Sequence, residues 1–395
     1  MFANNYLHKN NRVPLITTEP NSQCNIRIVI PCYNEPELLH TLESLKKCSL
    51  PETIVEVIIL FNHAEDAPEE IKNFNIVTKT EADRWIKENN SNKLIFFAIG
   101  PVELRKKWAG VGLARKTGLD EAVLRFNHFN NSRGIVVSLD SDSLVEPNYL
   151  IEIEKHFNQN PKHVGAIIKV EHQKDGLSEK QKQGIELYEK YLHYYKDALQ
   201  FTGYPQAMIT IGSAFAVTAE AYVKRGGMNR RQAGEDFYFL QNLAQIGPVG
   251  EITTTKVFPS ARISNRVPFG TGAAIQKWME GTEDLAKTYN FRAFTDLKVF
   301  FDTNERLFQT DEAGYFEIIS AMPESIQQFV LQDNFWNEIE DLNKNCSTLK
   351  SFQTRFFHKF NAFKVLKFMN FAHEKYYEKA DLNEQFSLLK SLTKK

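Results

Sequence analysis

Five short apolar runs, rich in β-branched and aromatic residues, recur along the first 170 residues: Ile26–Pro31 (IRIVIP), Val55–Phe61 (VEVIILF), Leu94–Ile99 (LIFFAI), Ile135–Leu139 (IVVSL) and Val164–Val170 (VGAIIKV). Runs of this length with little alternation are the mark of strands covered on both faces. Segments with helical character lie between them. Pro36 opens one such segment, ELLHTLESLKKC, at a first-turn position. A second is centred near Glu81–Glu88. A third, Leu113–Phe126, places Leu113, Leu119, Ala122, Val123 and Phe126 on one side. Strand and helix in alternation predict an α/β fold with a mostly parallel, doubly wound sheet. Ligands of such sheets bind at the carboxyl ends of the strands. Those ends carry Tyr33-Asn34-Glu35, Asn62-His63 and Asp140-Ser141-Asp142.

The pattern changes after residue 170. Ser178–Leu199 reads as a long helix with tyrosines at 188, 191, 194 and 195, and Met208–Val217 reads as a further strand. Beyond about residue 270 strand signals vanish and helix formers with many phenylalanines take over. The expected organisation is an N-terminal arm over 1–25, a sheet-bearing domain over 26–269, with halves of about 26–145 and about 146–269, and a helical C-terminal extension over 270–395.

A chain of 395 residues exceeds one typical small domain. Its 48 basic and 49 acidic residues leave a net charge of −1, without the basic excess usual in a dedicated nucleic-acid binder. The four cysteines, Cys24, Cys32, Cys48 and Cys346, form no CxxC pair, so a zinc knuckle is not expected. Few cysteines in a long chain fit a reducing compartment. The opening residues lack a signal-peptide core, and no apolar run is long enough to span a membrane. A cytoplasmic location is the expectation.

Three groups of residues carry chemistry. Asp140 and Asp142, two apart beyond an apolar strand, can converge on one hard divalent cation such as Mg²⁺ or Mn²⁺, which would neutralise a diphosphate; the same residues also suit an ordinary turn. Gly234-Glu235-Asp236 precedes the amphipathic run FYFLQNLAQIG. Acidic residues there serve as helix capping or, in a site, as a general base. Gly110-Val111-Gly112 opens the helix that carries Arg115 and Lys116, where backbone amides and cationic charge can meet a phosphate.

These elements occur in a set order: IVIPCYNE, GVGLARKTGLDEA, VVSLDSDSLVEPNYL and RGGMNRRQAGEDFYFLQNLAQIG. The series resembles the family 2 glycosyltransferases, which have the GT-A fold, over roughly residues 26–260. The resemblance implies a catalytic domain over 26–269 with a nucleotide-diphosphate-sugar donor bound by about 26–145 and a sugar, lipid-linked or small-molecule acceptor by about 146–269, a Mn²⁺ or Mg²⁺ ion, and inversion at the anomeric carbon. Pro31, Tyr33 and Glu35 would line the pocket for base and ribose. Arg115 would lie near the donor, Asp140 and Asp142 would face ribose and metal with Ser141 between them, and Asp236 would be the base with Glu235 beside it. Phe61-Asn62-His63 stands where many members carry consecutive aspartates, so Asn62 offers a different set of contacts to the base. Lys116 stands where the family often has Asn. No histidine lies between His193 and His358 to serve as a third metal ligand.

Further readings stay open. Arg262 and Arg266 could clamp a diphosphate or an acidic acceptor, or pair with surface acids. Pro268-Phe269-Gly270-Thr271-Gly272 could form a shaped loop or an ordinary turn. The tyrosines of 188–195 could stack on a sugar or pack internally. Residues 350–379 carry seven Lys or Arg against two Glu among seven phenylalanines, which suits peripheral contact with an anionic membrane or a helical bundle packed through its Phe face. Competing assignments are a retaining transferase on the same fold, a nucleotidyltransferase, whose Gly-rich loop is absent after the first strand, and a non-catalytic nucleotide-sugar-binding protein.

Overall fold

The protein is described by a computed structural model over residues 1–231, 234–263 and 270–393. Arg266 and the Pro268-Phe269 part of the proposed loop lie outside the described residues. The chain forms two compact units, one of residues 1–177 and 210–276, the other of 178–209 and 277–395.

The first unit is built on an eight-stranded sheet. Its strands are β1 (Cys24–Cys32), β2 (Ile54–Ala64), β3 (Leu94–Leu104), β4 (Ile135–Ser138), β5 (Leu144–Val145), β6 (Gly165–Val170), β7 (Phe215–Thr218) and β8 (Val249–Phe258), in the order β3-β2-β1-β4-β7-β6-β8-β5. The β3-β2-β1-β4 half is parallel, with Ile28 level with Val57 and Val137. β7 runs antiparallel to both β4 and β6. All five apolar runs are strands, and Val29, Ile30, Val57, Ile58 and Val137 are fully buried. The fold is the expected mostly parallel α/β sheet flanked by helices. β2 continues through Asn62 and His63 to Ala64, so those two residues lie within the strand rather than beyond its end. The strand read over Met208–Val217 is only its last part, β7. The helix near Glu81–Glu88 extends over Glu69–Asn89.

Gly118 shows how closely a helix lies on this sheet. A Cβ there would sit 2.4 Å from Cγ1 of Val29 in β1, so helix Val111–His128 needs a bare backbone at that turn. A buried triad ties the same helix to the sheet: Glu56 of β2 takes Arg27 of β1 at 2.6 Å and Arg125 of the helix at 2.9 Å. Burial pushes the Glu56 carboxyl up, but the hydrogen bonds and charges of Arg125 and Arg27 outweigh it and hold it below the usual range.

Residues 1–25 are not a loose arm. A helix at Asn4–Lys9 and the segment after it are tied to helix Val111–His128. The Tyr6 hydroxyl donates to Asp120 at 2.6 Å, the Ala3 amide to Asn127 at 2.9 Å and the Leu15 amide to Glu121 at 2.9 Å. Arg12 reaches Asp120 at 2.6 Å. The attachment is mainly polar, which is why hydrophobic periodicity did not reveal it.

The second unit is helical apart from the short pair Lys287–Thr288 and Ala380–Asp381. Its helix Glu179–Phe201 starts with a capping box between Ser178 and Gln181. Residues 178–209 thus join the C-terminal helices, whereas the division expected from sequence kept them with the sheet. Their apolar face packs on partners about 100 residues later. Tyr194 and Tyr195 each lie edge-on to Phe294 at 5.8 Å, and the Tyr194 hydroxyl donates to the Tyr289 carbonyl at 2.8 Å. That is the internal-packing reading of the tyrosines. Phe352, Phe356, Phe360 and Phe368 are likewise buried, and among the phenylalanines of 350–379 only Phe363 is exposed, at 41%.

Candidate active site

The parallel half of the sheet brings three strand ends together, as the topology requires. β1 ends at Cys32, and Tyr33, Asn34 and Glu35 follow; β4 ends at Ser138, just before Asp140. Pro31 is buried within β1, and Tyr33 is half-buried beyond it. Asn34 has a left-handed backbone (φ 49°), a conformation Asn tolerates better than most residues. The turn is pinned by Asn75, whose side-chain oxygen accepts from the Asn34 amide at 2.9 Å and whose amide donates to the Asn62 carbonyl at 2.9 Å. Asn62 gives its own amide hydrogens to the carbonyls of Cys32 (3.0 Å) and Leu60 (3.3 Å), so its side-chain oxygen is the polar atom left to read a base.

Two arginines organise the acidic residues. Arg115, completely enclosed near the start of helix Val111–His128, pairs with Asp140 through one guanidinium nitrogen and with Glu235 through the other. A Cβ on Gly212 would lie 2.6 Å from that guanidinium, so Gly212 leaves the space it fills. Arg262, just past β8, takes buried Glu35 in a two-pronged pair, with one arm at 2.8 Å, and reaches Asp142 at 3.1 Å. The Gln173 side chain donates to the carbonyls of Asp142 (2.9 Å) and Phe258 (2.7 Å), and Thr41 donates to the Ser141 carbonyl at 2.9 Å. The Asp140–Asp142 turn is therefore held by Thr41 of helix Leu38–Lys46, Arg115 of helix Val111–His128, Gln173 after β6 and Arg262 after β8.

Asp236 occupies the first turn of helix Glu235–Leu243, behind a left-handed Gly234. Its carboxyl is raised from 3.8 to about 6, by burial first and the neighbouring Glu235 charge second, against the pull of Arg115. Part of the residue still reaches solvent. A largely buried carboxylate that still reaches solvent, with proton affinity close to neutral, suits a general base.

Among the described residues no group of three His, Cys, Asp or Glu is placed to hold a metal. Asp140 and Asp142 offer oxygen donors of the kind Mg²⁺ and Mn²⁺ prefer, and one or two carboxylates with substrate phosphates make a common Mg²⁺ site. Both already face positive charge, from Arg115 and Arg262. The donor set fits such an ion, which Asp140 and Asp142, both partly exposed, would hold.

The site therefore unites Asp140, Glu235, Asp236 and Arg115, and separately Glu35, Asp142 and Arg262. Asn75, Gln173 and Gly212 were not singled out from sequence; each acts through backbone or space, which no spacing pattern records. The profile of glycosyl transferase family 2 matches residues 27–226, just over half of the chain. This chain belongs to glycosyl transferase family 2. The matched span includes the Asp140–Asp142 turn and ends before Glu235 and Asp236, so the reading of that pair rests on the geometry above. No curated protein matches the chain. Among solved structures, S. aureus TarS 1–349 in complex with UDP-GlcNAc is similar at 13% identity, over 85% of this chain and 91% of that one, with a TM-score of 0.42. The same TarS fragment with UDP is similar at 12% identity, over 85% and 91%, with a TM-score of 0.40.

Proposed function

We propose that this family 2 glycosyltransferase moves a sugar from a nucleotide-diphosphate-sugar donor to an acceptor hydroxyl, with inversion, in glycan or glycolipid synthesis. The observation that carries the proposal is Arg115 joining Asp140 to Glu235, beside a carboxylate, Asp236, whose proton affinity is raised to about 6. Tyr33, Glu35 and Asn62 are assigned to base and ribose. Arg262, with Arg266, is assigned to the diphosphate, where a planar guanidinium can bind two oxygens at once. Asp236 takes the proton of the acceptor hydroxyl as that oxygen bonds the anomeric carbon. The bond from that carbon to the diphosphate breaks, and the nucleoside diphosphate leaves with the electron pair. Asp142 and Asp140 would hold a Mg²⁺ or Mn²⁺ ion, whose charge offsets that of the leaving diphosphate.

We also place the enzyme in the cytoplasm, where a reducing environment suits Cys24, Cys32, Cys48 and Cys346, all buried and free of disulfides. No helix among the described residues is long and apolar enough to cross a membrane. The test is a thermal-shift screen of UDP-, GDP-, dTDP- and CMP-sugars with and without Mn²⁺, followed by NMR of the product anomer. Stabilisation by one nucleotide class and an inverted product are expected. A retained anomeric configuration would refute inversion, and no nucleotide release from any of these donors would refute the transfer reaction.

A further inference from the structure

The helix turn that carries Asp236 is flanked by a positive surface to which the donor assignments above give no role. Residues 105–108 (Arg-Lys-Lys-Trp) form the turn before helix Val111–His128, and Arg230-Arg231 precede Gly234. The fold presses the two segments together. A Cβ on Gly112 would lie 2.1 Å from the Arg231 carbonyl oxygen and 3.2 Å from Cβ of Glu235. The Trp108 ring has the Lys107 ammonium 5.2 Å from its centroid and the Arg230 guanidinium 5.5 Å from it. Arg231 lies 3.8 Å over the ring of Tyr238, two residues after the base.

Arg105, Lys107, Arg230 and Arg231 are all exposed, and among the described residues none of them pairs with a carboxylate; Lys106, between them, is taken by Asp66 at 2.7 Å. A chain whose net charge is −1 thus gathers four unneutralised cations and an aromatic face at the edge of its catalytic loop. Such like charges repel one another, and an anionic partner relieves that repulsion. No hydrogen bond or ion pair among the described residues joins them to Glu35, Asp140, Asp142 or Arg262. Arg231 covers Tyr238 and its backbone lies against Gly112 beside Glu235, so the cluster adjoins the turn that carries Asp236, where the acceptor hydroxyl arrives in the transferase reading.

We infer that this surface binds the acceptor and that the acceptor is a chain bearing repeated anionic groups. Four cations carried on two segments exceed what one phosphate or carboxylate needs. Arginine forks suit either oxyanion, and the Trp108 ring holds Lys107 and Arg230 beside each other. The inference rests on the transferase reading, but its binding test does not depend on a donor.

The full chain is titrated with long-chain polyphosphate, with polygalacturonate and with neutral dextran at about 0.15 M salt, where screening suppresses diffuse attraction beyond about 8 Å. The comparison is with Arg105→Gln/Lys107→Gln/Arg230→Gln/Arg231→Gln and with a control neutralised elsewhere on the same unit, Arg84→Gln/Lys87→Gln/Arg133→Gln/Lys224→Gln. Wild type and control are expected to bind polyanion and not dextran, and the patch variant to bind at least about tenfold more weakly. Polyphosphate over polygalacturonate would identify phosphate as the anion, and the reverse carboxylate. The bound polyanion is also expected to inhibit hydrolysis of the donor by wild type and control. Failure of wild type to bind either polyanion, equal loss in patch and control variants, or binding that leaves hydrolysis unaffected would overturn the inference. Absence of nucleotide-sugar binding or hydrolysis, with patch-specific polyanion binding intact, would instead refute the donor reading.

Discussion

If Asp236 is the base, its protonation must switch the enzyme off, and the pH at which this happens is set by its surroundings. With a carboxyl raised from 3.8 to about 6, the base is ionised above about pH 6 and is one-tenth ionised near pH 5. Transfer is therefore expected to fall about tenfold between about pH 7 and about pH 5, whereas an ordinary aspartate would hold its rate over that range. Glu235 supplies part of the upward shift, second to burial. Glu235→Gln removes that charge and leaves Arg115 acting on Asp236 less opposed. Both changes favour the ionised base, so the acid limb of kcat/KM should move below about 6 and stay above 3.8, because burial remains. The assay is nucleotide release against pH, with Asp236→Asn as reference; that variant should lose roughly 10²–10⁴-fold in turnover and show no limb near pH 6. A wild-type limb near pH 4, a limb unmoved by Glu235→Gln, or wild-type turnover in Asp236→Asn would refute the assignment.

Asp142→Asn removes one of the two proposed metal ligands, so the extra thermal stabilisation that Mn²⁺ gives to the donor complex should shrink while any metal-free shift persists. Glu56→Gln leaves Arg27 and Arg125 buried without their carboxylate and should cost about 3–5 kcal/mol in chemical denaturation. Because the Glu56 carboxyl is held below its unfolded value, its contribution is present at neutral pH and is lost as pH falls through the folded value. For residues 350–379, a net charge of +5 with Phe352, Phe356, Phe360 and Phe368 buried allows electrostatic contact without insertion. Co-sedimentation with anionic vesicles should thus vanish in high salt; binding that survives would show an apolar anchor.

The sheet was legible because strands buried on both faces are apolar along almost their whole length; Ile26–Pro31 and Val55–Phe61 break the run only at Arg27 and Glu56, which neutralise each other. The acidic motifs were legible because the end of a parallel strand is where a ligand meets the sheet. The allegiance of helix Glu179–Phe201 was not, since periodicity shows that a helix has an apolar face and not which partner covers it. The N-terminal segment was misread because Asp120, Glu121 and Asn127 hold it from more than 100 residues away. The charge around Trp108 was equally hidden: Arg-Lys-Lys and Asn-Arg-Arg are two ordinary polar stretches until the fold joins them.

Arg115 is the point where the two acidic motifs meet, and Gly212 offers a way to displace it without deleting it. A methyl at 212 would stand 2.6 Å from one guanidinium nitrogen, 2.8 Å from the other and 2.9 Å from the carbon between them. An exposed arginine would move aside at little cost. Arg115 is enclosed and paired on both arms, so any movement that clears the methyl lengthens a pair to Asp140 or to Glu235. Gly212→Ala should therefore leave the sheet folded, with destabilisation of about 1–3 kcal/mol from overpacking. Turnover should fall by up to roughly 10²-fold, as catalytic groups displaced by about an ångström commonly cause. The acid limb should also rise, because a more distant Arg115 opposes protonation of Asp236 less. Lower stability with unchanged turnover and an unchanged pH profile would mean that Arg115 only holds the fold and does not position the base.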